Sequence, residues 1–433
     1  MEGWMLALGA FFVLVLLSAG GVHIAIAMGF LGMISAISYL GFTAGTSLAG
    51  IAAWFNAARF SVAMIPMFVL MGTICGEAKI GRDAYDTFYF WLGRVKGSLA
   101  IVSVFACAMF AALTGSSTAT VATIGSISVP EMKKAGYAKT LRLGCICAAG
   151  TLGILIPPSI IFIFYGILTE VSIGKLFIAR IIPGIITAIL FSILIYVMVS
   201  LKPSLAPLST TGFPLKKKII STARLLPIFL VFVTVTVTIY WGICSPEEAA
   251  AYGAFGSIIV SLVMGRLQWS NFKKAIKDSL RISGFIMLII MGAMLFANTI
   301  ALSGFSAKLT SLVTGLDVPP YVVMIVIVLI YLGLGCVLDT FGMMVLTVPV
   351  FFPVVTAIGY DPIWFGVIVT VMVECALITP PIGTNIYVTQ TLESGATSWD
   401  VIKGMVPFLF MELVLIGLLI KFPWLATWLP SKM

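Results

Sequence analysis

Residues 141–169 read LRLGCICAAGTLGILIPPSIIFIFYGILT, two apolar stretches (141–156 and 159–169) separated at Pro157 and Pro158. Neither stretch can cross a bilayer alone, because a spanning helix needs about 20 residues. Consecutive prolines lack N–H groups and push the preceding residue out of the helical region, so a helix stops here. The pattern recurs at 363–391, where apolar stretches 363–378 and 382–391 meet at Pro380 and Pro381. A break in the middle of apolar sequence frees backbone groups that lipid cannot satisfy. Such a break has to line a cavity or bind something.

The rest of the chain fits that reading. Of 433 residues, 61% are hydrophobic and 9% charged, whereas a soluble domain is about half apolar and a quarter charged. A water-soluble fold, a disordered chain, a collagen, a disulfide scaffold and a nucleic-acid-binding domain are all excluded. At about 20 residues per crossing there is room for roughly ten to thirteen spans. The apolar runs are long and continuous, so they predict helices and not barrel strands. The fold class is an all-α polytopic membrane protein. The first apolar run, 4–19, follows Glu2 and no basic region, which predicts a retained span and not a cleaved signal. The seven cysteines lie mostly in apolar sequence and read as small membrane residues. His23 is the single histidine, and the sequence holds no Ser-His-Asp set, metalloprotease motif or phosphate-binding P-loop. The expectation is a protein that is not an enzyme and is not driven directly by ATP.

Two further pairs of short apolar segments stand before the breaks, 98–113 with 118–130 and 321–337 with 342–358. A shift of 223 residues carries Pro130, Gly136, Tyr137, Pro157 and Pro158 onto Pro353, Gly359, Tyr360, Pro380 and Pro381. The chain therefore divides into a first repeat (1–200; hairpin near 98–130, broken helix near 140–169), a cytoplasmic linker (201–224) and a second repeat (225–433; hairpin near 321–358, broken helix near 363–391). Segments 77–97, 131–142, 200–225 and 266–281 hold 18 of the 25 Lys and Arg residues and are expected in the cytoplasm, with SPEEAA (245–250) outside. The first hairpin is flanked by Lys96, Lys133 and Lys134, the second by Asp317 and Asp361, so they enter from opposite sides. Inverted repeats with two re-entrant hairpins and two broken helices are the pattern of secondary transporters.

The candidate site residues lie at four turns: Thr114–Thr118, Gly153–Ser159, Leu338–Gly342 and Thr379–Asn385. Half-helix N-termini suit an anion, and unwound carbonyls and hydroxyls suit a hard cation such as Na⁺. Helix packing through small residues is the alternative use of each single Gly, Ser or Thr. Asp339, the one acid at a hairpin tip, is open to three roles: cation ligand, proton site and helix cap. Glu374 and Glu412 lie in apolar helices, where an internal hydrogen bond and a functional role are both open. Glu170 is expected at an interface.

The GSSTAT turn, GILIPPSIIFIFYGILTEVSIGKLF, LDTFGMMVLTVPVFFPV and ECALITPPIGTNIYVTQ resemble the large membrane subunit of tripartite ATP-independent periplasmic (TRAP) transporters, over almost the whole chain. The resemblance implies a multi-pass protein of the bacterial inner membrane. Its implied partners are a small four-helix membrane subunit, a periplasmic binding protein, an organic anion substrate and membrane lipid. It implies Na⁺-coupled uptake by an elevator motion. It places Na⁺ near Ser116, Ser117 and Gly153 in the first repeat and near Asp339, Thr340, Thr379 and Gly383 in the second, with Ser159, Thr384 and Asn385 bordering the substrate. A stand-alone Na⁺/dicarboxylate carrier and an anion channel are the alternatives.

Overall fold

The computed structural model describes residues 3–207 and 212–433. Glu2 and part of the expected linker, 208–211, lie outside the described residues. Among the described residues the regular structure is helical and there are no strands. The first half holds α1 (Gly3–Ala19), α2 (Ile24–Leu40), α3 (Phe42–Ala57), α4 (Met64–Glu77), α5 (Ile80–Leu92), α6 (Ser98–Thr114), α7 (Ser117–Lys134), α8 (Lys139–Ala149), α9 (Leu152–Leu155), α10 (Ile160–Thr169), α11 (Ile173–Ala179) and α12 (Ile181–Leu201). The second holds α13 (Leu215–Tyr240), α14 (Pro246–Val263), α15 (Trp269–Leu302), α16 (Phe305–Thr314), α17 (Pro320–Gly335), α18 (Thr340–Ala357), α19 (Pro362–Ile378), α20 (Thr384–Thr391), α21 (Ser398–Lys421) and the short α22 (Trp424–Thr427). Residues 215–224 of the stretch read as a linker belong to α13.

Five described helices are long and apolar enough to cross a membrane singly, or up to seven spans if two bent pairs each count as one. That is fewer than the composition has room for, because hairpin arms such as α6 and α17 and the pieces of the broken helices are short. The outside is apolar: Phe12, Phe42, Trp54, Leu201, Val263 and Leu329 are each more than half exposed. Large apolar side chains exposed in this number belong in lipid.

The same 223-residue shift relates the helices themselves. It carries α7 onto α18 and the span α8–α9 onto α19 with identical limits, α2 onto α14, α5 onto α16, and α4 into the second half of α15. Contacts are exchanged between the halves in matching fashion. Helix α2 packs along α15 while α14 packs along α4, and α7 packs on α20 while α18 packs on α10.

Local chemistry explains the repeated boundaries. Ser116 caps α7 by accepting from the Ala119 N–H, and Asp339 caps α18 by accepting from the Gly342 N–H. Helices α7 and α18 both end on a Gly-Tyr pair. Gly136 and Gly359 sit at φ +78° and +94°, which favours glycine. The following Tyr137 and Tyr360 N–H groups bond back to the Met132 and Val355 carbonyls. At the breaks, Ile156 and Thr379 precede the prolines and are extended, at ψ 132° and 128°. The first broken helix bends by 44° there, and both Pro-Pro bonds are cis.

Candidate functional site

The first hairpin tip is seated on the first helix break. Gly115 turns the chain at φ +58°, and a Cβ there would lie 2.5 Å from the Pro158 carbonyl oxygen. A Cβ on Gly153 would lie 2.6 Å from the Ser116 carbonyl oxygen. Only glycine allows this approach at either position. Ser116, Ser117 and Gly153, grouped in the sequence reading, are thus brought together. Ser159 caps the second piece of the broken helix but makes no capping bond; its Oγ is buried and without a hydrogen-bond partner.

The tip is also tied to the other half. Asn385, fully buried, places Nδ2 2.7 Å from Ser117 Oγ and donates to the Cys147 carbonyl at 3.2 Å. The Ser117 hydroxyl in turn lies 3.1 Å from Asn385 Oδ1. The amide of Asn385 therefore has partners on both sides, and it braces the hairpin. Thr384 beside it keeps a buried Oγ1 with no hydrogen-bond partner.

The second tip is placed differently. Asp339 Oδ1 accepts from Gly342 N at 3.2 Å, the geometry of a cap. Thr379 donates its hydroxyl to the Cys375 carbonyl at 2.6 Å, and Gly383 has the Leu377 and Thr379 carbonyls 2.9 Å from where a Cβ would stand. Among the described residues no hydrogen bond joins Asp339 or Thr340 to Thr379 or Gly383. Instead Phe341 meets Phe164 of α10 edge-on at 5.5 Å, and Gly342 lies against Ile24 of α2.

A cavity of about 270 Å³ opens between the first tip and helices α4 and α15, lined by Thr73, Glu77, Thr114, Ser116, Thr123 and Asp278 among others. It brings hydroxyls of the tip and its flanks to a space bounded at one side by acids. Glu77 is held there by Lys274 at 2.6 Å. A larger cavity, about 470 Å³, includes Arg59, Glu170, Ser172 and Glu247 but none of the tip residues.

Three ion-pair clusters went unread in the sequence. Arg142 grips Glu393 with Nε and Nη2 at 2.8 and 2.6 Å and donates Nη1 to the Tyr137 carbonyl. Lys133 adds a third contact to Glu393 at 3.2 Å. These cations hold the Glu393 carboxyl below the usual carboxylate range, the Arg142 hydrogen bond contributing most. Lys139 pairs with Asp400 at 2.8 Å, and Arg266 pairs with Asp83. Deeper in, Arg180, Glu374 and Glu412 are all 0% exposed. The two acids stand out in the sequence as lone charges in apolar runs. Arg180 could have been found the same way, in GKLFIARIIPG (174–184).

Residues 11–425 match the family described as the tripartite ATP-independent periplasmic transporter, DctM component. The chain is 34% identical over 379 residues to the C4-dicarboxylate TRAP transporter large permease protein DctM of Pseudomonas aeruginosa, covering 87% of each. It is 31% identical to the ectoine TRAP transporter large permease protein TeaC of Halomonas elongata, covering 85% of this chain and 86% of that protein. Among solved structures, Neisseria gonorrhoeae MtrF superposes with a TM-score of 0.64 at 14% identity, covering 98% of this chain and 95% of that one, a likeness of fold alone. The chain is a multi-pass membrane protein of the DctM family, the large permease subunit of TRAP transporters.

Proposed function

We propose that this permease imports a small organic acid with Na⁺ across the bacterial inner membrane. A periplasmic binding protein delivers the substrate, and a small membrane subunit completes the complex. The two halves are inverted repeats whose hairpins enter the membrane from opposite sides. The hairpins and broken helices move as one body against α1–α4 and α13–α15 in an elevator motion.

The observation that carries this reading is the first tip seated on the first break. There Gly115 lies against Pro158 and Gly153 against Ser116, and the nearby Ser159 and Thr384 hydroxyls are buried without partners. Buried polar groups without partners are uncommon in folded proteins and need an explanation. An ion between tip and break, with a carboxylate at the N-terminus of α10, supplies one: oxygen atoms suit Na⁺, and the helix terminus suits an anion. Ser116, Ser117 and Gly153 form the first Na⁺ site, and Asp339, Thr340, Thr379 and Gly383 the second. Ser159 and Thr384 contact the substrate, and Asn385 holds the first tip in place beside it.

Reconstitution of the complex in liposomes tests the coupling. With binding protein and substrate outside, an inward Na⁺ gradient drives accumulation. Accumulation under a proton gradient alone, with no response to Na⁺, contradicts it. Uptake by this chain without its partners would point instead to a stand-alone carrier.

A further inference from the structure

Glu374 of α19 and Glu412 of α21 are both 0% exposed, and so is Arg180, between α11 and α12. Helix α19, which carries Glu374, packs on α9 and on α21, which carries Glu412, and Arg180 reaches α9 at the Ile154 carbonyl. The neighbouring Cys375 thiol is the other titratable group facing the pair. Thr151 donates its hydroxyl to Glu412 Oε1 at 3.1 Å. The guanidinium of Arg180 lies 4.4 Å from the ring centre of Phe162 and 4.8 Å from that of Phe177, and donates Nη1 to the Ile154 carbonyl at 3.1 Å.

The hydrogen-bond inventory of this cluster is incomplete. Both oxygens of Glu374, Oε2 of Glu412, and Nε and Nη2 of Arg180 are buried with no hydrogen-bond partner. Two ionised carboxylates are acceptors only and can offer each other nothing. The charges do not balance either: two carboxylates against one guanidinium leave one negative charge with no access to water, and an uncompensated buried charge is strongly unfavourable. One proton on one carboxyl neutralises the surplus charge and turns one of the unpartnered oxygens into a donor.

We propose that Glu374 and Glu412 form a buried proton-binding site that holds one proton, with Arg180 balancing the carboxylate that stays ionised. The site lies between the two helix breaks. Thr151 and Glu374 are mates under the 223-residue shift, each six residues before its Pro-Pro pair, and α9 contacts α19. The Arg180 guanidinium reaches the carbonyl of Ile154, next to Gly153. The protonation state of the pair therefore sets the net charge beside both breaks, where the ion and substrate of the proposed transport cycle bind.

The test is infrared spectroscopy of the purified complex together with its melting temperature, for Glu374→Gln, Glu412→Gln, the double variant, and the double variant carrying Arg180→Met. The wild type shows the carbonyl stretch of a protonated carboxyl that shifts on transfer to heavy water. That band is absent from both single variants and from the double. Each single variant melts close to the wild type, because an amide stands in for the protonated carboxyl. The double variant strands Arg180 and melts lower, and Arg180→Met restores part of the loss. Wild-type and double-variant spectra that do not differ in the carboxylic-acid region overturn the proposal, whatever the melting temperatures. So does a protonated-carboxyl band that persists in both single variants, since both carboxyls would then be neutral.

Discussion

Glu170 and Glu393 are mates under the 223-residue shift, each just past the end of a broken helix, and their surroundings differ. Glu170 pairs with Arg59 at 3.2 Å, with side chains 77% and 40% exposed. Glu393 is 7% exposed and is held by Arg142, itself 10% exposed, and by Lys133. The hairpin tips differ in the same direction. The first tip is bonded through Ser117 to Asn385 in the other half, whereas the second is capped by Asp339 and touches Phe164 and Ile24. A repeat in sequence thus fixes where helices begin and end, while the partners that hold them are set separately in each half. The first hairpin, together with α8, α20 and the start of α21, is the more tightly cross-bonded side of the molecule.

Arg142→Ala gives the largest stability loss. Removing one member of a buried pair costs about 3 kcal/mol, and Arg59→Ala at the exposed mate costs less than about 1 kcal/mol. Melting temperatures of the two variants in the same detergent measure the difference, and equal losses would break the comparison. The pair also predicts a pH dependence. Because the Glu393 carboxyl is held below its ordinary value, its contribution is complete above an unfolded pKa of about 4.3 and fades as pH falls below it. Arg142→Ala weakens this acid-side dependence, and Arg59→Ala leaves it in place.

Gly153→Ala comes next. The added methyl meets the Ser116 carbonyl at 2.6 Å, an overpacking expected to cost about 1–3 kcal/mol. It parts the first tip from its break and raises the Na⁺ concentration needed for half-maximal uptake. A variant with wild-type Na⁺ dependence would remove the first tip from ion binding.

Asp339→Asn gives the smallest stability change, because Asn caps a helix about as well as Asp. If the Asp339 carboxylate also binds Na⁺, losing the charged ligand costs about 1.5–3 kcal/mol of binding, a rise of about 10- to 150-fold in the Na⁺ concentration for half-maximal uptake. An unchanged value at equal membrane abundance leaves Asp339 as a cap only.

Much of this architecture was legible in the residues. Hairpins and breaks are written in local chemistry: prolines without N–H groups, Gly-Tyr helix ends, and Ser or Asp at helix starts. The segment read as 98–113 is α6, Ser98–Thr114, and the break read at Pro157 is where α9 gives way to α10. The expected linker was less legible, since the KKK run that suggested a polar loop forms the first turn of α13. Of the site, Ser116, Ser117 and Gly153 were grouped on a resemblance and do meet. Nothing in the sequence foretold that Asn385 would reach Ser117, because that contact depends on how α20 packs on α7 across 268 residues of chain. Arg142 and Glu393 escaped notice for the same reason. Each looks like an ordinary surface charge until the halves are packed together.

If the two halves are inverted, their matching hairpins open to opposite sides of the membrane. Ala135 and Ala357 are exposed residues at the ends of α7 and α18. Each is changed to cysteine in a background lacking the seven native cysteines, and cells are treated with a membrane-impermeant maleimide before and after the membrane is opened. In an inverted arrangement cysteine at 357 labels in intact spheroplasts and cysteine at 135 only after the cytoplasmic side is opened. Labelling of both from the same side would contradict it.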